Sequence, residues 1–262
     1  MSGRLSFLYR AYRYRFREDP AEIRFVRQSL RPGQVAVDIG CHKGAYTYWM
    51  RRCVGPSGAV YAFEPQPRQV AYLREAFSVM GYDNVELVPM AVSDKSGQLP
   101  LYTPKVSTHF ASLEPRRESE SGRPSVGEGA GSGDPRTTPA PRTTMVDVTT
   151  LDTFFTGDRK PPHFLKIDVE GHELSVLEGG RRTLESHHPT ILIECEARHR
   201  SDDDVRPVFQ LLESLGYSGS FFCQGSRHPL AEFDQAFHQR LDLKSDRLPP
   251  GYVNNFAFEH AT

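Results

Sequence analysis

The 262-residue chain has little net charge, little cysteine and no long apolar run, and each shortage excludes something. Lys and Arg total 32 against 33 Asp and Glu, a net charge of −1, so the chain as a whole has no general pull toward nucleic acid or anionic membranes. Four cysteines, Cys41, Cys53, Cys195 and Cys223, show neither a C-x-x-C pair nor zinc-ligand spacing. Reduced thiols in a cytoplasmic protein are the expectation. The N-terminal arginines are not followed by an apolar stretch, so no signal peptide is expected. No run approaches the roughly 20 apolar residues of a membrane-spanning helix. There is no internal repeat, and the length is enough to bury a substantial core.

What is present is organised around Val35-Ala36-Val37-Asp38-Ile39-Gly40-Cys41-His42-Lys43-Gly44-Ala45-Tyr46-Thr47. It starts as an apolar run typical of a strand buried on both faces. It breaks at Gly40 and Gly44, then Tyr46, Trp49, Met50 and Cys53 recur at helical spacing. Strand, tight turn and helix follow, with the turn at the carboxyl edge of the strand, where α/β sheets bind ligands. Glycine lets backbone and ligand approach closely, and the helix start offers free N–H groups.

Upstream, residues 1–17 carry Arg4, Arg10, Arg13, Arg15 and Arg17 among five aromatics, with no acid before Glu18. The segment reads either as a helix packed on the body by its aromatics or as a docking arm for an anionic or ring-bearing partner. Asp19-Pro20-Ala21-Glu22 predicts a helix start, with Asp19 as N-cap and Glu22 closing a capping box. Downstream, Ala59–Phe63 and Val85–Val92 read as second and third strands separated by a helix. This alternation implies parallel pairing with right-handed crossovers. Leu99–Tyr102 reads as an edge segment. From about 114 to 144 the chain is Gly, Pro, Ser, Thr, Arg and Glu with almost no large apolar residue, which predicts a disordered insertion. Phe164–Val169 and Thr190–Cys195 are further strands, Val205–Leu215 a helix, and Ser218–Cys223 and Val253–Glu259 the last strand candidates.

Glu64 ends the second strand, where a carboxylate can accept hydrogen bonds from both hydroxyls of a ribose lying over the glycine turn. A pyrophosphate binder needs G-x-G-x-x-G, but the frame Gly40-Cys41-His42-Lys43-Gly44 has no middle glycine. Asp38 would repel phosphate there. It suits a cationic cofactor instead, and S-adenosylmethionine carries an ammonium and a sulfonium without phosphate. An NAD(P)-linked oxidoreductase is correspondingly disfavoured.

Asp38-Ile39-Gly40, Gly44-Ala45-Tyr46-Thr47, Phe63-Glu64-Pro65, Ala91-Val92-Ser93-Asp94 and Leu165-Lys166-Ile167-Asp168-Val169-Glu170-Gly171-His172-Glu173 together resemble the FkbM family of S-adenosylmethionine-dependent methyltransferases. The resemblance implies an α/β, Rossmann-like class I methyltransferase fold: a seven-stranded, mostly parallel sheet with one antiparallel strand and helices on both faces. The resemblance spans roughly Asp19 to Glu196, and the chain is expected to divide into a basic, aromatic helical segment (1–33) and a methyltransferase domain (34–262). It also implies O-methylation of a hydroxyl on a small molecule, a sugar or a secondary metabolite. Asp38, Gly40, Cys41, His42, Gly44, Tyr46 and Thr47 would form the methionine-side turn. Glu64 and Pro65 would lie at the ribose, and Met90 to Asp94, with Ala91 and Asp94 among them, at the adenine. Cys41-His42 departs from the family, which usually has a small residue and Asn there.

Lys166, Asp168, Glu170 and His172 crowd one strand end and are the candidate catalytic groups, as expected where a proton must be moved. Asp168, Glu170 and His172 are equally placed in sequence to act as base. Glu194 ends the next strand, so Asp168 and Glu194 could share a divalent cation such as magnesium. Glu196, His199 and Asp202–Asp204 read as a solvated loop and helix cap. The alternative is a non-catalytic, cofactor-binding module acting through a protein partner. A nucleic-acid methyltransferase is disfavoured by the balanced charge and the lack of an Asn/Asp-Pro-Pro-aromatic motif.

Overall fold

The computed structural model describes residues 3–103, 112–113, 142–241 and 248–260. The chain opens with α1 (Gly3–Arg13), which passes through a π-turn into α2 (Pro20–Ser29). Strands and helices then alternate: β1 (Val35–Ile39), α3 (Ala45–Val54), β2 (Ala59–Phe63), α4 (Pro67–Met80) and β3 (Val85–Val88). β4 (Ala91–Val92), β5 (Gly97–Thr103) and β6 (Arg142–Thr149) come next. They are followed by α5 (Leu151–Phe154), β7 (Phe164–Ile167), α6 (Glu173–Glu178), α7 (Arg181–His187) and β8 (Thr190–Glu194). The chain ends with α8 (Arg206–Ser214), β9 (Tyr217–Cys223), β10 (Ser226–Pro229), α9 (Gln235–His238) and β11 (Asn255–His260).

The main sheet has eight strands in the order β10-β9-β11-β8-β7-β1-β2-β3. β1, β2, β3, β7 and β8 pair in parallel, and β11 runs antiparallel to both neighbours. The seven expected strands are therefore present with their one reversed member. The eighth, β10, folds back on β9 through Gln224-Gly225, whose positive φ angles of 49° and 78° suit a tight hairpin. β1 lies between β2 and β7 and all five of its residues are buried, as its apolar run predicts. After β3 the chain returns to the other side of β1, so the strand order reverses there and a crevice opens at the carboxyl ends.

Alternate strand residues feed two core layers. Ile23, Val26, Trp49, Met50 and Leu73 cover one face, and Leu151, Val176, Leu177, Val208 and Leu212 cover the other. A second sheet, β4-β6-β5, borders the crevice. Three sequence readings shift. The single strand read over Val85–Val92 breaks at Pro89, which has no N–H to donate, and β4 leaves to pair with β6. Arg142, Thr143 and Thr144, read as insertion, belong to β6 and pair with β5; residues 114–141 lie outside the described residues. Asp19 makes no capping bond to α2, because its carboxylate instead accepts the Tyr46 hydroxyl at 2.8 Å.

The N-terminal segment is built into the core. Phe7 is buried edge-on against Tyr48, Phe77 and Tyr82, and the Trp49 indole donates to the Ala11 carbonyl at 2.8 Å. Emptying that position leaves a cavity that several elements share. Phe7→Ala is expected to cost about 3–5 kcal/mol in equilibrium denaturation, within a single transition. A separate early transition for the segment would show that it folds independently.

Candidate active site

The crevice at the carboxyl ends of β1, β2 and β7 contains a cavity of about 360 Å³. The turn after β1 forms its floor. Gly40 has φ 79°, and a Cβ there would stand 1.8 Å from the carbonyl oxygen of Asp168. The amides of Gly40 and Cys41 both donate to the Phe63 carbonyl at 3.0 Å, which ties the turn to the end of β2. Asp38, Gly40, Cys41, His42 and Tyr46 line the cavity. Asp38 is buried and accepts the Thr47 hydroxyl; burial raises its pKa to about 6, against the Thr47 bond and the Lys166 charge. Thr47 thus reaches the site only through Asp38. Gly44 is also turned away, with φ 75° and its bare face packed on Phe7 and Leu73.

Glu64 is buried at the end of β2. Its two carboxylate oxygens accept the amides of His42 and Gln66, each at 2.8 Å. Burial nevertheless raises its pKa to about 8, with Asp38 and Asp168 adding repulsion. The two amides fix the carboxylate between the glycine turn and Pro65. Pro65, Ala91 and Val92 complete this end of the cavity. Asp94 stands outside it, half-exposed, accepting from Ser93 and facing Lys95. The Ser93 hydroxyl in turn meets His172 Nε2 at 2.8 Å, so His172 is anchored at this end of the crevice.

At the other end, the Lys166 ammonium is buried, 3.6 Å from Asp168 and 5.1 Å from the centre of the Tyr46 ring. Burial alone would lower its pKa, but Asp168, Glu194, Asp19 and Asp38 outweigh that and hold it above the ordinary value. Asp168, with a third of its side chain exposed, faces the cavity. Glu170, whose φ is 54°, holds His199 Nδ1 at 2.7 Å. Burial raises the pKa of Glu170 and His199 opposes it.

Several contributors were not read as site residues in the sequence. Tyr14 and Arg10 enter the cavity from the N-terminal segment, whose helical repeat hides this role. Glu196 and His199 are not a solvated loop. Glu196 is buried, gripping Arg198 at 2.7 Å and the Tyr252 hydroxyl, while His199 holds Glu170. Asp204 accepts the Arg206 amide at 2.9 Å, but it stands before Val205, the N-cap of α8, which makes no side-chain cap bond. The pair Asp168 and Glu194, read as a magnesium site, gains no third ligand of that kind among the described residues. The Lys166 ammonium already faces both Asp168 and Glu194, and Glu194 also accepts from Asn254 at 3.0 Å. Among the described residues no group of three or more His, Cys, Asp or Glu could hold a metal ion. Among the described residues Lys166 is a buried cation facing Asp38, Asp168 and Glu194. Acidic groups outnumber that ammonium, and burial raises the pKa of Asp38 and Glu194.

The chain matches the methyltransferase FkbM domain over residues 38–218. It is similar in fold to methyltransferase FkbM from Methylobacillus flagellatus KT, with 15% identity and a TM-score of 0.50; the match covers 98% of this chain but only 55% of that one. A putative rRNA-methylase from Clostridium thermocellum is similar at 10% identity and a TM-score of 0.51, over 93% of this chain and 95% of that one. No curated protein matches.

The buried carboxylates impose a pH dependence on the ligand-free protein. Glu64 and Glu173 have folded pKa values of about 8 and about 7, above the ordinary 4.5. Between those limits the folded chain keeps protons that the unfolded chain has released, so stability falls as pH rises. The thermal midpoint is expected to drop by several degrees from pH 5 to pH 8, and Glu64→Gln to flatten the slope. A midpoint that rises over this range would contradict the assignment.

Proposed function

Since the chain belongs to the FkbM methyltransferase family, we propose that it is an S-adenosylmethionine-dependent O-methyltransferase acting on a hydroxyl of a small molecule, a sugar or a secondary metabolite. The observation that carries this reading is the pairing of an amide-held Glu64 with an acid-rich floor beside the Gly40 turn. The Glu64 carboxylate would take the ribose hydroxyls. Asp38 and the amides of the turn would take the methionine end, with Pro65, Ala91 and Val92 against the adenine. When bound, S-adenosylmethionine supplies a methyl group on a positively charged sulfur.

The residues of the chain align the acceptor and accept its proton. Asp168 is proposed as the base. Its carboxylate, a third exposed on the cavity wall, is paired at 3.6 Å with Lys166, whereas Glu170 is engaged by His199 and His172 by Ser93. Lys166 positions Asp168 from behind. Tyr14 and Tyr46 close the cavity on the side of the N-terminal segment and help keep water from the reacting atoms.

Calorimetry with S-adenosylmethionine and S-adenosylhomocysteine, with NAD as control, tests the cofactor. Micromolar binding of the sulfur compounds is expected, weakened about 10- to 100-fold by Glu64→Ala. Binding of NAD alone, or of none, would falsify the reading. With an acceptor found by screening sugars and hydroxylated metabolites, Asp168→Asn is expected to lower kcat by about 100- to 10,000-fold. Binding of S-adenosylhomocysteine should be little changed. An unchanged kcat would move the base to another residue.

A further inference from the structure

The outer face of the N-terminal segment is not used by the site. Leu5, Tyr9, Tyr12 and Phe16 follow one another at spacings of four, three and four along α1 and the π-turn, and are between 41% and 64% exposed. The buried residues Phe7 and Ala11 occupy the opposite face, so the helix is apolar on two sides, one facing the core and one facing water. The exposed row borders a second depression, of about 270 Å³, lined by Arg15, Arg27, Arg52, Leu30, Trp49 and Cys53. Arg15 lies over both Trp49 and Phe16, at 4.7 and 5.0 Å, and Arg27 over Trp49 at 5.8 Å. Among the described residues Arg15, Arg27 and Arg52 have no carboxylate partner; Arg52 donates to the Tyr48 hydroxyl at 3.3 Å and lies over the Tyr48 ring at 5.8 Å.

We propose that this face docks on an anionic phospholipid bilayer, with Leu5, Tyr9, Tyr12 and Phe16 at the headgroup level and lipid phosphate at Arg15, Arg27 and Arg52. Two independent features support it. A helix that lies in a membrane interface needs an apolar face flanked by basic residues, and tyrosines sit well there with their rings in the apolar zone and their hydroxyls wet. Separately, three guanidiniums around one depression repel each other until an anion joins them, and phosphate suits arginine. A second copy of the chain is a poor occupant, because it would bring the same arginines face to face. Single-stranded nucleic acid is also disfavoured. The Tyr12 and Phe16 rings stack on each other, 6.1 Å apart and 24° from parallel, which leaves them poorly presented as a base platform. The same segment places Arg10 and Tyr14 in the cavity, so the docked face and the site lie on one helical segment.

Flotation of the full-length chain with phosphatidylglycerol–phosphatidylcholine vesicles tests the proposal. Binding is expected to the mixed vesicles and to be at least tenfold weaker to pure phosphatidylcholine. Each arginine at an anionic surface is worth roughly a fivefold gain, so Arg27→Glu should cost tenfold or more. Phe16→Ser should also cost tenfold, with an unchanged thermal midpoint because the ring is exposed. Were that variant to unfold, Tyr9→Ser tests the same row. No binding to the mixed vesicles would overturn the proposal, as would binding indifferent to Phe16 and Tyr9. So would tighter binding to a single-stranded oligonucleotide, or Phe16-dependent dimers in sedimentation that do not bind vesicles.

Discussion

One buried ammonium holds the site together. Lys166 sits where the ends of β1, β7 and β8 converge, and its charge offsets carboxylates from three strands and from the loop after the π-turn: Asp38, Asp168, Glu194 and Asp19. Asp19 reaches it through Tyr46, whose ring faces the ammonium and whose hydroxyl binds the Asp19 carboxylate. Breaking one member of a buried ionic set strands the others, typically at a cost of about 3–5 kcal/mol. The N-terminal segment, the glycine turn and the loop after β7 are thereby joined to one another. Carboxyl groups outnumber the ammonium around Lys166, and burial holds the pKa values of Asp38 and Glu194 above the ordinary range.

Much of this was legible in the sequence because it is carried by short contiguous stretches. The apolar run of β1, the turn after it, Glu64 after β2 and the Lys166–Glu173 stretch each declare strand, turn and charge within about ten residues. What was not legible depends on distance. Asp19 looks like an N-cap by its neighbours, yet Tyr46, distant in sequence, takes its carboxylate. His199 and Glu196 look solvated in a loop crowded with charges, but Glu170 and Tyr252 are folded against them. Gly44 matches a cofactor motif by spacing, whereas in three dimensions its missing side chain makes room for Phe7. Pattern reading assigns a residue a type of role; which neighbour fills that role is decided by packing between remote segments.

The N-terminal segment illustrates the same point from the other direction. Its composition allowed both a packed helix and a docking arm. Phe7 and Ala11 make it part of the core, Arg10 and Tyr14 make it part of the cavity wall, and Leu5, Tyr9, Tyr12 and Phe16 leave an apolar row in water. A π-turn at Tyr14–Glu18 redirects the chain between these surfaces. Wider turns of this kind are uncommon and often sit at functional positions.

The contact between Gly40 and the Asp168 carbonyl sets a ruler inside the crevice. The glycine turn after β1 and the end of β7 touch through main-chain atoms, with the Asp168 amide also bonded to the Ile39 carbonyl at 3.0 Å. The spacing between the two is therefore a property of the sheet, not of any side chain. Descendants of this sequence can exchange pocket walls or lengthen the chain between β5 and β6 while that measure stays fixed. Position 40 would stay closed to every residue but glycine.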